Sequence, residues 1–261
     1  MNSSDFRKQA REKLSGKWGK SALVTLAYFV IVIVLNFITS KFAETALAPI
    51  ISLLEVIITI PLAYGLTSVF IKIIDNENVS SFDFLPIGFN NFSRSWKIAL
   101  NIILKMLLPL ILLIVSIVIL MIGSAGTFST IMFNGPDFFQ TSFTGVLLLG
   151  VCMYFVSIVM FIIWSYYYQL SQIIAIENPD ITPKDAVENS KKYMTGNRWK
   201  LFCLELSFIG WAFLCMFTLG IGMLWLIPYI QVATIAFSRY VCGKTKDSTT
   251  SAEKIESNNN N

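Results

Sequence analysis

Three ionisable side chains, Glu55, Lys105 and Glu205, lie within long apolar runs of this sequence. An unpaired charge at the centre of a lipid bilayer costs roughly 2.5–3.5 kcal/mol or more, so such residues usually face the interior of a helix bundle and mark functional sites. With a helical rise of about 1.5 Å per residue, Lys105 lies at a depth between the two carboxylates and within reach of either. These three residues therefore form the candidate polar site.

The charges of this site have two interpretations. In the first, a polar site near the midplane binds a substrate or a proton, and kinks at Pro61 and Pro109 shape it. In the second, which we favour, Glu55 and Lys105 form a buried ion pair that fixes the register of two helices. Lys105 and Glu205 then extend toward the cytoplasmic face, as long side chains near a membrane surface do.

Residue types that other catalytic sites need are missing. The chain contains no histidine, which excludes His-based triads, zinc–histidine sites and imidazole proton relays. Its four cysteines form no Cys-x-x-Cys pair, so we expect buried thiols rather than a disulfide or a zinc site. Gly243-Lys244-Thr245 resembles the end of a phosphate-binding loop, but Ser238 stands where the first glycine belongs. We therefore expect no enzyme activity, no catalytic residue, no cofactor and no metal.

The composition is that of a membrane protein. The chain is 55% hydrophobic and only 14% charged, whereas soluble domains carry about 25% charged residues. Apolar runs near twenty residues long recur, and each can cross a hydrocarbon core of roughly 30 Å. The net charge of +4 does not indicate a nucleic-acid partner, because the basic groups flank the apolar runs. Anionic lipid head groups at the cytoplasmic face are the partners that these groups predict.

The basic residues predict how the chain is threaded. All Lys and Arg residues except Lys41 and Lys105 fall in four blocks, residues 7–20, 72–97, 184–200 and 239–254. Lys and Arg accumulate on the cytoplasmic side of membrane proteins. The four blocks therefore face the cytoplasm, and both termini lie there.

The apolar runs predict an all-α membrane protein, a bundle of six transmembrane helices. Residues 199–241 are too long for one crossing, since they would extend about 65 Å as a helix, and the turn residues 218–222 divide them. The predicted spans are residues 21–39, 46–74, 96–122, 144–168, 201–219 and 223–241, which form one transmembrane domain over 21–241. Residues 242–261 are polar and are predicted to be a disordered cytoplasmic tail.

The first predicted cytoplasmic helix lies in residues 1–20. Phe6, Ala10 and Leu14 recur every four residues among basic side chains, which indicates an amphipathic helix in the plane of the lipid head groups. Its predicted N-cap is one of the two serines at positions 3 and 4.

A second amphipathic helix is predicted in the third cytoplasmic segment. Thr182 supplies an N-cap and Pro183 the first helical position. Gly196 is a stop signal, so the helix covers residues 183–195.

Matching features at the span ends indicate three repeated helical hairpins, formed by spans 1–2, 3–4 and 5–6. A Trp beside basic residues stands at the start of spans 1, 3 and 5, and spans 2 and 6 share an Ile-Pro pattern. The matching positions are Trp18, Trp96 and Trp199, then Ile60-Pro61, Thr67, Phe70 and Lys72 against Ile227-Pro228, Thr234, Phe237 and Arg239. Interface preferences of Trp and Lys/Arg are the alternative explanation. All copies run the same way, as in a parallel repeat.

Several stretches together resemble a known family. They are Leu14-Ser15-Gly16-Lys17-Trp18-Gly19, Ser81-Phe82 with Gly88-Phe89-Asn90-Asn91-Phe92, Asn178-Pro179-Asp180, Ser190-Lys191-Lys192-Tyr193-Met194-Thr195-Gly196, Leu206-Ser207-Phe208-Ile209-Gly210-Trp211, Thr218-Leu219-Gly220-Ile221-Gly222 and Pro228-Tyr229. This set resembles the bacterial integral-membrane family called domain of unknown function 975, found mostly in Gram-positive bacteria. The resemblance implies a multi-pass plasma-membrane protein and carries over no catalytic residue.

Two functions fit these observations. The first is a non-enzymatic membrane component, either a scaffold or a partner of another membrane or envelope protein. The alternative is a transporter or permease for a small or lipid-like solute that uses Glu55, Lys105 and the kinked spans. An enzyme acting on lipid fits least well, because the sequence offers only scattered charges within the membrane.

Overall fold

The computed structural model describes residues 2–134 and 142–259, and it gives side chains for these except 130, 131, 133, 134, 142, 143 and 244–259. Every regular element in this part of the chain is an α-helix. The chain forms two compact units, one made of Met1–Ala99 and Leu170–Asn261 and the other of Leu100–Gln169.

The helices carry the numbers α1 to α10 in chain order. They are α1 (Ser3–Leu14), α2 (Trp18–Lys41), α3 (Ala48–Ile74), α4 (Phe84–Asn90), α5 (Phe92–Asn134), α6 (Ser142–Tyr168), α7 (Ser171–Glu177), α8 (Pro183–Met194), α9 (Arg198–Phe217) and α10 (Met223–Asn259). Within the described residues, five stretches are long and apolar enough to cross a membrane: Trp18–Lys41, Ala48–Ile74, Phe92–Ser129, Thr144–Glu177 and Arg198–Phe217.

The end of α5 differs from the sequence prediction. Residues 123–143 were expected to form a loop, whereas α5 continues to Asn134 and α6 begins at Ser142; residues 135–141 lie outside the described part. The polar side chains of this stretch are satisfied within the helix, since Thr127 donates to the carbonyl of Gly123 (2.7 Å). Gly123 also allows close packing of the two helices, because a Cβ there would lie 2.7 Å from the Cα of Leu147.

α10 covers the sixth predicted span and more. Its backbone is helical from Met223 to Asn259, whereas a disordered tail was expected from residue 242. No side chain from 244 onward belongs to the described part, so the order of the tail stays a prediction. α10 is not among the five membrane-spanning stretches found by length and composition, and the count of six spans also stays a prediction.

The core of the first unit lies where α10 meets α1, α2, α3 and α9. Val232, Ala233, Ile235 and Phe237 of α10 are fully buried. Nearly every residue in the second half of α3, from Pro61 to Ile74, is buried as well. The C-terminal halves of α2 and α9 instead expose large apolar side chains. Protein packing is therefore concentrated at one end of these helices.

α1 belongs to this core. Its apolar face of Phe6, Ala10 and Leu14 is buried, and the ring of Phe6 lies 5.4 Å from Phe237 and 5.5 Å from Tyr240. This face packs on α10, which differs from the predicted packing into lipid head groups. The predicted serine N-cap is also wrong: the helix begins after Asn2, whose N–H donates to the Asp5 carboxylate (2.8 Å).

α8 confirms the prediction for the third cytoplasmic segment. The Thr182 hydroxyl accepts a hydrogen bond from the N–H of Asp185 (3.1 Å) and donates one to its carboxylate (2.7 Å). Ala186, Ser190 and Met194 are buried on one face of the helix. The N-cap and the apolar spacing were sufficient because both are local signals.

The short helix α4 crosses α3 at very close range. A Cβ atom at Gly65 would overlap the carbonyl oxygen of Phe84, and one at Gly88 would overlap the carbonyl oxygen of Pro61. Two glycines thus let two backbones touch, and neither position accepts a larger residue without displacing α4.

We expect Gly65→Ala to lower the free energy of unfolding by about 1–2 kcal/mol, since overpacking outweighs the gain in helix propensity. Gly210→Ala on α9 is the matched control, because a Cβ there meets nothing within 4 Å. Thermal unfolding of both variants in nanodiscs, followed by circular dichroism, measures the difference. Equal melting temperatures for the two variants would contradict the close crossing.

Candidate functional site

The three predicted site residues lie on three different helices. Glu55 is half-buried on α3, and its carboxylate accepts a hydrogen bond from the Thr39 hydroxyl of α2 (2.6 Å). Glu205 is half-buried on α9. Lys105 lies on α5 in the other compact unit. The pairing of Lys105 with either acid therefore stays a prediction, while the bond from Thr39 joins the two helices of one hairpin.

A cluster of charges that the sequence analysis did not assemble surrounds Arg239 in the middle of α10. The Arg239 guanidinium donates two parallel bonds to the Asp75 carboxylate, both 2.8 Å long. Its Nε donates a third bond to Glu177 (2.5 Å). Asp75 directly follows α3 and Glu177 ends α7. We call Asp75, Glu177 and Arg239 the end cluster, since it joins the ends of α3 and α7 to α10.

The end cluster changes the acidity of Asp75. Hydrogen bonding to Arg239 holds the pKa of this carboxyl below its ordinary value, and the nearby ammonium groups of Lys13 and Lys17 act in the same direction. The charge of Asp75, although exposed, is thus used in a bond between helices.

Basic residues just before or within the first turn of a helix bind the end of a neighbouring one. The Lys17 ammonium donates to the Ile73 carbonyl and the Asn76 side chain, both at 2.5 Å. The Arg94 guanidinium donates to the carbonyls of Ala175, Asn178, Pro179 and Ile181 at 2.8–3.1 Å. The last carbonyls of a helix lack partners within the helix and attract cations. These bases therefore cap α3 and α7.

Trp96 of α5 also binds a helix carbonyl without a partner, in this case in the middle of α3. Pro61 has no N–H, so the carbonyl of Ile57 four residues earlier loses its partner within the helix. The indole N–H of Trp96 donates to that carbonyl (3.2 Å). Trp18 lies beside the proline of α10, with its ring 5.9 Å from Tyr229, the residue after Pro228. The Trp residues that the sequence marked as interface anchors thus contact the proline regions of α3 and α10.

Two cavities adjoin Arg239, and different helices line each of them. One, of about 430 Å³, lies between α1 and α10 and is lined by Gln9, Glu12 and Lys13 among others. The other, of about 390 Å³, is lined by Asn178, Asn189 and residues of α10. No group of three or more His, Cys, Asp or Glu residues in the described chain is placed to hold a metal ion. The arrangement connects helices and leaves clefts beside the connection that both polar and apolar side chains line.

The sequence carried a signal for the end cluster that was read only in part. Asp75, Glu177 and Arg239 each stand at the end of an apolar run that leads into a basic block. In the predicted repeat, Arg239 is only the counterpart of Lys72, and Asp75 has no part in the predicted site. Comparing the charges at the ends of the three runs would have suggested an opposite-charge contact.

Within the described residues every regular element is a helix, and five stretches are long and apolar enough to cross a membrane, which is compatible with a membrane protein. The chain belongs to the family described as "Protein of unknown function (DUF975)", whose model matches residues 1–245. No curated protein and no solved structure matches the chain.

We expect Asp75→Asn to lower the melting temperature at pH 7, because it removes the charge that Arg239 stabilises. The folded-state pKa of Asp75 is lowered, so its contribution is fully present above the unfolded pKa of about 3.9 and is lost as the pH falls through the folded pKa. The difference in melting temperature between wild type and variant should therefore narrow below about pH 4. Melting curves recorded from neutral to acid pH measure this difference.

The control for this experiment is Asp180→Asn, which changes an exposed carboxylate on the loop after α7. Its melting temperature should follow that of the wild type across the whole pH range. A gap for Asp75→Asn that stays constant with pH would mean that the Arg239 bond does not depend on the ionised carboxylate.

Proposed function

We propose that this chain is a six-span protein of the bacterial plasma membrane with both termini in the cytoplasm. In this proposal it acts without catalysis, as a scaffold or as a partner of another membrane or envelope protein. The observation that carries the proposal is the use of the charges in the end cluster. Asp75, Glu177 and Arg239 are bonded to one another across three helices, which is a structural use of charge.

The connections of the first unit support an even number of crossings. Lys17, at the start of α2, binds the end of α3, so these two points lie at the same end. Arg239 joins the same end through Asp75. α9 is long enough to cross a membrane, and a short turn at residues 218–222 leads into α10. If α9 crosses the membrane away from the end that holds Asp75, α10 must cross it in the opposite direction, because Arg239 of α10 binds Asp75.

The chain segments on either side of the second unit support the same count. Arg94, in the first turn of α5, binds the carbonyl of Ala175 in α7, and Glu177 of α7 is bonded to Arg239. α5 and α6 therefore start from and return to the same end. This supports the third and fourth crossings, and the packing of α1 on Phe237 supports its position on the side of the other basic segments.

Repeated geometry supports the proposal of hairpin repeats. α1 and α8 have 12 residues each, and each is followed by a glycine with positive φ, +74° at Gly16 and +82° at Gly196. α3 and α10 each contain a proline. In each, the threonine six residues later donates to the carbonyl four residues before it, at 3.1 Å for Thr67 and 3.0 Å for Thr234.

The exposed surface favours the scaffold over the transporter. Along the outer part of α9, Trp211, Phe213, Met216 and Phe217 are all exposed, a surface suited to lipid or to another membrane protein. Glu55, the acid on which the transporter alternative depends, is bonded within its own hairpin to Thr39. A substrate site at Glu55 would share the carboxylate with this bond.

Reporter fusions test the threading. Alkaline phosphatase, which is active only outside the cytoplasm, should be active when inserted within residues 135–141 and inactive when fused after residue 241. A fluorescent protein that folds only in the cytoplasm should give the reverse pattern at both sites. Phosphatase activity after residue 241 would overturn the six crossings and the cytoplasmic C-terminus.

Photo-crosslinking tests the scaffold role in the native membrane. A benzophenone amino acid at Phe213, which is 60% exposed, should give a protein adduct of one defined mass after irradiation. Phe208 lies on the same helix and is only 2% exposed, so the same substitution there should give none. Lipid adducts alone at Phe213 and at Phe217 would count against a membrane-protein partner.

A further inference from the structure

The segment around α4 does not extend away from the helices, as a polar cytoplasmic loop would. It folds back along α3, so that Phe84 lies against Gly65 and Gly88 lies against Pro61. Gly65 and Pro61 precede the end of α3 at Ile74 by nine and thirteen residues, or about 14 and 20 Å of helix. α4 therefore lies beside the middle of α3.

Phenylalanine rings cover the outer face of this segment. Phe82, Phe89 and Phe92 are 58%, 46% and 39% exposed, respectively, whereas Phe84 between them is fully buried. Phe84 anchors the segment, since its ring lies 6.0 Å from Tyr28 of α2. Three exposed aromatic rings on eleven consecutive residues form an apolar patch of a kind that marks an interaction site.

The neighbouring surface of α2 shows what surrounds these rings. Tyr28, which contacts Phe84, stands between Leu26 and Val30, and both of these side chains are exposed. All buried residues of α2 come before this level, at positions 21 to 25. An exposed surface of Leu and Val on a helix apolar enough to cross a membrane faces hydrocarbon. The patch on α4 lies at the same level, so it continues a lipid-facing surface.

Two polar side chains of the segment have hydrogen-bond partners within the protein. The Asp83 carboxylate accepts from the N–H of Ser80 (2.7 Å), and the Asn91 amide donates to the Ile87 carbonyl (2.9 Å). Arg94 is bonded to four carbonyls at the end of α7. Satisfied polar groups lower the cost of entering a membrane interface.

We propose that residues 82–92 insert into the cytoplasmic leaflet of the bilayer. α4 lies at the boundary between head groups and acyl chains, where amphipathic helices bury their apolar face by about 5–10 Å. The last part of α3, about 14–20 Å of helix beyond Gly65 and Pro61, then extends out of the acyl chains toward the cytoplasm. Phe82, Phe89 and Phe92 contact the upper acyl chains, and the exposed Asn90 and Ser93 lie among the head groups. The partner is lipid, and the glycine crossing on α3 holds the helix at this depth. This inference rests on the membrane embedding proposed above.

Spin labels at single cysteines test the insertion in nanodiscs made of phosphatidylethanolamine and phosphatidylglycerol. The full-length chain, with its four cysteines replaced by alanine, carries one new cysteine through Phe82→Cys or Phe89→Cys. Oxygen concentrates in acyl chains, whereas a nickel chelate stays in water. At both positions the ratio of oxygen collisions to nickel collisions should be several-fold higher than at Lys184→Cys, an exposed position on α8.

Val30→Cys separates failure of this inference from failure of the membrane embedding. A high oxygen ratio at position 30 together with nickel access at positions 82 and 89 as high as at 184 overturns the insertion alone. Nickel access at position 30 overturns the embedding itself. Low collision rates of both reagents at 82 and 89 mean that protein covers the rings, which also overturns lipid contact. Phe82 and Phe89 are exposed, so neither substitution disturbs the core, and size-exclusion chromatography verifies each variant.

Discussion

Arg239 of α10 joins the ends of two helices that are distant in sequence, since it bonds to Asp75 after α3 and to Glu177 at the end of α7. A guanidinium group suits this position because its planar fork gives two parallel bonds to one carboxylate and keeps an N–H for a second. Without it, both carboxylates would lose their hydrogen-bond donor. The packing of α1 depends on the same place, because Phe6 lies against Phe237 and Tyr240, on either side of Arg239.

The other long-range polar contacts of the first unit serve carbonyls that a helix cannot satisfy by itself. Lys17 and Arg94 bind the last carbonyls of α3 and α7, and Trp96 binds the carbonyl that Pro61 leaves without a partner. Most of these contacts lie at the end where the basic residues are. Side-chain packing is tight there, while the C-terminal halves of α2 and α9 present apolar surface. One end of the unit is thus stabilised by intramolecular contacts, and the apolar surface elsewhere is exposed for contact with lipid or with another protein.

Local signals were sufficient for part of the fold. The apolar runs placed α2, α3 and α9 within a few residues, and Thr182-Pro183 placed the start of α8. Local signals failed where the tertiary environment of a side chain decides whether a segment is helical. Residues 123–134 look like a loop because they are rich in Gly, Ser and Thr, yet Gly123 packs against α6, and Ser124, Thr127 and Ser129 bond to carbonyls of their own helix. α4 was missed because seven residues carry too little periodicity, and its place depends on two glycines 23 positions apart.

The sequence by itself determined where most of the long apolar helices lie and where the basic residues gather along the chain. Each of these properties is summed over neighbours in the chain, so composition and periodicity report it directly. Only the tertiary structure decided what the charges do. Asp75 and Arg239 are 164 residues apart, and no local pattern says that they meet. Their pairing follows from the way α3 and α7 end beside α10, which turns an acid after α3 and a base within α10 into the contact that joins these helices.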